Sequence, residues 1–117
     1  MNIEEFRKYC LSKKGVTEEF PFGEETLVFK VMGKMFVLTN LVGDFTINLK
    51  CDPDLALELR EQYPAVIPGY HMNKKHWNTV IIDGSIPNKL IYEWTDHSYH
   101  LVVDQLTNIL KNKLKQL

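Results

Sequence analysis

Four side chains able to bind a metal or pass a proton, Glu93, His97, His100 and Asp104, recur at spacings of four, three and four. On a helix those spacings bring all four to one face, as a helical metal site or proton relay requires. Phase argues for a plainer role. At about 100° per residue they centre nearly opposite the apolar side formed by Leu90, Ile91, Trp94, Leu101, Val102, Leu106, Ile109 and Leu110. They are expected to face water and to hold no metal. Glu18, Glu19, Glu24 and Glu25 flank Pro21, Phe22 and Gly23 and offer carboxylate oxygens. The D-x-D-x-D-G pattern of a cation loop is missing, so an exposed acidic loop is expected there.

The densest group of functional side chains is the stretch PGYHMNKKHW at 68–77, with Tyr70, His71, Asn73, Lys74, Lys75, His76 and Trp77. Three chemistries compete for it. Lys74 and Lys75 could contact phosphate while Tyr70, His76 or Trp77 offer flat rings for stacking on nucleic acid. Alternatively, Tyr70, His71, His76 and Trp77 could line the pocket of a small-molecule or protein-binding adaptor. An enzyme would need His71 or His76 as its acid or base, yet nothing pairs a nucleophile with a base, and no catalytic residue is assigned. The five-residue separation of the two histidines matches no zinc spacing. A purely structural reading makes Trp77 a plug at the end of the core and Pro68 and Gly69 a tight turn. Exposure of Lys74 and His76 on a common convex surface favours nucleic acid, and their convergence into a concave pocket favours a ligand.

Composition narrows the classes. A chain of 117 residues is expected to form a single domain over 1–117, large enough to bury roughly two-thirds of its unfolded surface without a metal or disulfide. Hydrophobic and charged shares of 44% and 25% are those of an ordinary globular protein. Net charge is −1, which counts against a dedicated DNA-binding domain while leaving room for a local basic patch. Lys111, Lys113 and Lys115 make the C-terminal end basic. Cys10 and Cys51 are not closely spaced, and no long apolar run occurs. Reduced, buried thiols, a cytoplasmic location and no membrane association are expected. No P-loop, G-x-G-x-x-G, G-x-S-x-G or H-E-x-x-H is present, and no cofactor is expected.

These residues need elements to position them. Asn2, followed by Glu4 and Glu5, predicts a helix over 2–14 with Gly15 as its left-handed cap. Strands are predicted over 26–31 and 34–40, joined at Met32 and Gly33 in a turn too short for a parallel crossover. DFTINLK over 44–50 alternates, with Phe45, Ile47 and Leu49 on one side and Thr46, Asn48 and Lys50 on the wetter one. Asp52, Pro53 and Asp54 start a helix over 53–63. The stretch 64–77 shows no period and is predicted to be a loop, long enough to suggest function. A fourth strand follows at 78–83, and the chain is helical from 87 to about 112, in one or two pieces. The expectation is an α+β domain, an antiparallel sheet of about four strands with helices on one face.

The stretch PGYHMNKKHWNTV, together with FPFG at 20–23, GKMF at 33–36, LKC at 49–51, LRE at 59–61 and SY at 98–99 followed by LVV, resembles the MmcQ/YjbR-like family of small bacterial proteins. The likeness runs in order through roughly residues 2 to 110. It implies a fold like that of the bacterial frataxin homologues and a predicted DNA-binding role through a double-wing motif. Iron binding does not follow, because the first helix carries only Glu4 and Glu5 beside Arg7 and Lys8. The combined expectation is a monomeric binding module that contacts DNA through residues 68–77. The alternative is an adaptor with its pocket at Tyr70, His71, His76 and Trp77.

Overall fold

Asn2 caps the first helix, its side-chain carbonyl accepting the Glu5 N–H at 2.8 Å and so satisfying an amide that a helix start leaves without a partner. Helix α1 (Ile3–Leu11) buries Phe6 and Cys10 in a computed structural model that describes residues 1–117. It ends sooner than 14. Gly15, at a φ of +76°, turns the chain into strand β1 (Val16–Glu19). Glu18 and Glu19 therefore lie in a strand and not in the expected acidic loop. Arg7 donates to both Glu18 oxygens at 2.6 and 2.5 Å, and Lys30 lies 3.4 Å from Glu19. Glu24 and Glu25 remain exposed in the following loop.

Strands β2 (Thr26–Val31) and β3 (Lys34–Asn40) form the expected hairpin. Met32 and Gly33, at φ of 49° and 83°, supply the two consecutive left-handed residues that such a tight turn needs. The register shifts between Phe29 and Lys30, leaving Phe36 as the extra residue of a bulge. As a result Phe36 and its neighbour Val37 are both fully buried in the main core.

Strand β4 (Thr46–Lys50) alternates as expected, with Ile47 and Leu49 inward. Helix α2 (Pro53–Gln62) follows, Asp52 capping it by accepting the Leu55 N–H at 3.2 Å. Strands β5 (Val66–Pro68) and β6 (Trp77–Ile81), then helices α3 (Asn88–Asp104) and α4 (Asn108–Lys115), complete the chain. The sheet has six strands, not four, in the order β1-β2-β3-β4-β6-β5, and all its pairs are antiparallel. Both unexpected strands are short edge strands. Four and three residues are too few to display a period of two. β6 also starts one residue before 78 and stops at Ile81.

The helices cover one face of the sheet around Phe6, Phe29, Phe36, Ile47, Leu49 and Ile91. The buried side of α3 centres on Ile91, Thr95, Ser98, Tyr99 and Val102. Polar Thr95 and Ser98 can be buried because they donate to the carbonyls of Ile91 at 2.8 Å and Phe36 at 2.6 Å. The wet side falls on the predicted face, with one exception. Glu93, His100 and Asp104 are exposed, but His97 is half-buried, its Nε2 accepting the Asp52 N–H at 3.2 Å. No group of three or more His, Cys, Asp or Glu converges as metal ligands would, and no helix is long and apolar enough to cross a membrane.

Cys10 and Cys51 are both buried. Burial pushes the Cys10 thiol well up, and burial with the Asp52 carboxylate nearby pushes that of Cys51 up to about 11. An unfolded thiol ionises near about 8.5. Above that pH the folded chain holds more protons than the unfolded one, so these thiols make stability fall as pH rises towards 11. At neutral pH, a thiol-specific reagent is expected to label neither cysteine in the native protein and both in denaturant. Stoichiometric native labelling would contradict the burial.

Candidate functional site

Strand alternation leaves the second face of the sheet without a helix. Cross-strand neighbours there run Thr26, Asn40, Thr46, Ile81 in one row and Val28, Leu38, Asn48, Thr79, Ile67 in the next. This face is hollowed into a bowl of about 530 Å³, within the range typical of small-molecule sites. Its floor holds Leu38, Asn48, Thr79 and Ile67. Its walls come from three loops: Phe22 after β1, Asp44 after β3, and Tyr70, His71 and Met72 after β5. Phe22 and Tyr70 stand well exposed on the rim, at 64% and 66%. Monomeric proteins usually expose large apolar side chains singly, so clustering around a concavity makes this a candidate contact surface.

The polar groups of the floor are oriented. The backbone N–H of Tyr70 donates to Thr79 Oγ1 at 2.9 Å, and the Thr79 hydroxyl in turn donates to Asn48 Oδ1. With its oxygen engaged, Asn48 presents its NH2 as a donor. Asn40 Nδ2 donates to Thr46 Oγ1 at 3.1 Å, which leaves the Asn40 oxygen as an acceptor.

The 68–77 stretch runs from the last residue of β5 through the hairpin loop to the first residue of β6, and its residues divide the work. Gly69 N–H donates to the Trp77 carbonyl at 3.0 Å. A Cβ at Gly69 would lie 2.9 Å from both Trp77 Cβ and Trp77 O, so only glycine fits there. Tyr70, His71 and Met72 then arch over the open face, His71 in a left-handed conformation at φ 57° and its ring 4.0 Å from that of Tyr70. Asn73 fastens the turn, its Oδ1 accepting the Lys75 N–H at 2.9 Å and its carbonyl the Trp77 N–H at 3.0 Å. Arg60 of α2 clamps the loop from the helical side. Its guanidinium donates to Asn78 Oδ1 at 2.7 Å, to the Trp77 carbonyl at 3.3 Å and to the Lys74 carbonyl.

Of the seven residues singled out from sequence, Tyr70 and His71 line the bowl, while Asn73, Lys74, Lys75, His76 and Trp77 do not. Trp77 is 9% exposed and packs with Val28, Leu38, Met35 and Met72 on the open face. It therefore supports the bowl rather than plugging the main core. The His76 carbonyl accepts the Cys51 N–H at 2.7 Å, holding the loop against the end of β4. Residue type and spacing did not point to Asn48, Thr79, Asp44, Phe22 or Arg60. One signal for the site was present: TLVFKV and KMFVLTN are apolar at consecutive positions, as strands with two buried faces are.

Residues 11–101 match the family model YjbR, and protein YjbR of Escherichia coli K12 is 36% identical over the full length of both chains. The chain belongs to the YjbR family. Protein YbdF of Escherichia coli O157:H7 is 47% identical over 88 residues, covering 74% of this chain and 72% of its own. The crystal structure of Deinococcus radiodurans protein DR2400, with the family-model domain DUF419, matches at a TM-score of 0.91. It is 40% identical and covers 97% of this chain and 88% of its own. A crystal structure from Pseudomonas syringae matches at 0.74 with 29% identity, covering 86% and 98%. The YjbR-family fold thus has an α+β architecture, a six-stranded antiparallel sheet with four helices.

Within this YjbR-family chain the two loop lysines have different surroundings. Lys74 Nζ donates to the Gly69 carbonyl at 3.1 Å, whereas the Lys75 ammonium makes no hydrogen bond or ion pair with the fold. Both residues are exposed. The double substitution Lys74→Ala, Lys75→Ala is expected to change stability by no more than about 0.5 kcal/mol, as ordinary surface changes do. Equilibrium urea unfolding measures this. A loss several times larger would make Lys74 a structural strut of the loop.

Proposed function

We propose that this YjbR-family chain is a binding protein that takes a small, largely apolar molecule in the bowl on the open face of its sheet. The observation that carries this reading is the convergence of Phe22, Leu38, Ile67, Tyr70 and Met72 on one concavity floored by oriented amide and hydroxyl groups. Apolar walls with a few placed polar groups are the usual make-up of a ligand pocket. Tyr70 and His71 are the two sequence candidates with a part in it.

Nucleic-acid binding through residues 68–77 is supported by the exposure of Lys74 and Lys75 and by the uncommitted Lys75 ammonium. It receives less support than the bowl, because no lysine or arginine lines the concave surface and the net charge is −1. One pair of titrations separates the two. Small aromatic compounds should shift the amide resonances of residues 46–48, 67 and 70–72, and a bowl-filling Asn48→Phe change should abolish the shifts. Duplex and single-stranded DNA should bind weakly or not at all. DNA binding that falls steeply with salt, and that weakens in the Lys74→Ala, Lys75→Ala variant, would reverse the order of the two readings.

A further inference from the structure

The walls of the bowl differ in charge as well as in shape. Asp44 is the only carboxylate that lines it, and no hydrogen bond or ion pair within the protein engages that group. No lysine or arginine lines it. The lysines of the flanking strands are turned elsewhere, Lys30 towards Glu19 at 3.4 Å and Lys50 towards Gln105 at 2.8 Å. The loop carrying Phe22 adds exposed Glu24 and Glu25, and it is tied to the loop carrying Asp44 by the Leu41 N–H donating to the Glu25 carbonyl at 2.9 Å. The segments 20–29 and 40–49, which supply Phe22, Thr26, Asn40, Asp44, Thr46 and Asn48 to this side of the bowl, contain no basic residue. Aromatic side chains, Phe22 and Tyr70, stand on the same rim.

Each of these features favours positive charge. The faces of aromatic rings attract cations, an unpaired carboxylate in a concave site concentrates ions of the opposite sign, and an anion beside Asp44 would lose hydration while meeting a like charge. Apolar Leu38, Met35 and Ile67 meanwhile offer nothing to a small hydrated ion.

We propose that the ligand is an organic cation, a protonated amine or nitrogen heterocycle on a flat apolar frame. Its charge lies at Asp44 and its frame lies over Leu38, Ile67 and Met72. Asp44 is thus a specificity-determining residue. The proposal rests on the reading of the bowl as a ligand site and adds the charge of the ligand to it.

Three indoles of nearly equal size test it: tryptamine as the cation, tryptophol as the neutral form and indole-3-propionate as the anion. Each is titrated into the full chain at low ionic strength and followed through the amide resonances of residues 46–48, 67 and 70–72. Tryptamine should bind tightest and indole-3-propionate weakest. Asp44→Asn should weaken tryptamine about fivefold, the size expected of one partly exposed ion pair, and leave tryptophol unchanged. Added salt should erode the difference between tryptamine and tryptophol. Equal binding of all three, or tryptamine binding indifferent to Asp44→Asn, overturns the assignment of a cation while leaving the bowl as a ligand site. Shifts at the bowl from none of the three overturn both. Unchanged resonances outside the 40–45 loop in Asp44→Asn establish that the variant is folded.

Discussion

Trp77→Ala is expected to lower the stability of the fold by about 3–5 kcal/mol, the usual cost of deleting a buried large aromatic side chain. The ring is 9% exposed and closes a small apolar cluster with Val28, Leu38, Met35 and Met72 on the side of the sheet that no helix covers. With no second layer above it, little can collapse into the space it leaves. Because Leu38, Met35 and Met72 also line the bowl, the same change should disorder one wall and weaken ligand binding. Urea unfolding should show a lower midpoint at an unchanged slope. A fully stable Trp77→Ala protein that had lost only binding would make the tryptophan a contact residue instead.

Arg60→Ala has the second largest expected effect, about 3 kcal/mol, from the loss of charge-assisted hydrogen bonds and the stranding of a buried acceptor. The acceptor is Asn78 Oδ1, in a residue only 2% exposed, and the Trp77 and Lys74 carbonyls lose the same donor. Unlike the tryptophan, Arg60 touches the loop from the helical side and has no part in the bowl. Its removal frees residues 70–72 in the unliganded protein, so a ligand must order them. Binding should weaken by about tenfold, allowing about 0.5–1.5 kcal/mol for each side chain immobilised. Arg60→Lys should restore little, because an ammonium cannot span several acceptors as a guanidinium does. Hydrogen exchange at 70–76 supplies the direct readout. Protection there equal to that of the wild type would show that the loop holds without the clamp.

Local devices in this protein are legible in the amino-acid sequence alone. The Asn2 and Asp52 caps, the alternation of Phe45, Ile47 and Leu49, and the two-residue turn at Met32 and Gly33 are of this kind. A backbone amide finds its partner within three residues, or a side chain its face by a period of two, and neither depends on the rest of the chain. The dense motif at 68–77 likewise adjoins the bowl, since Tyr70 and His71 line it.

Tertiary structure decided the rest. β1 and β5 exist because neighbouring strands offer them hydrogen-bond partners, a condition that four and three residues cannot announce alone. Thr95 and Ser98 are buried because carbonyls wait for their hydroxyls, one of them Phe36 O, 62 positions from Ser98 in the chain. The bowl is the clearest case. Its floor joins Leu38, Asn48, Thr79 and Ile67 from four strands only once the register of three strand pairs is set. Lys74 and Trp77, close neighbours of Tyr70 in sequence, fall outside the lining because Gly69, Asn73 and Arg60 fold the loop between them. A binding site on an open sheet face is made by register and loop path. Both are settled by contacts between residues far apart in the chain, which residue type and local spacing do not encode.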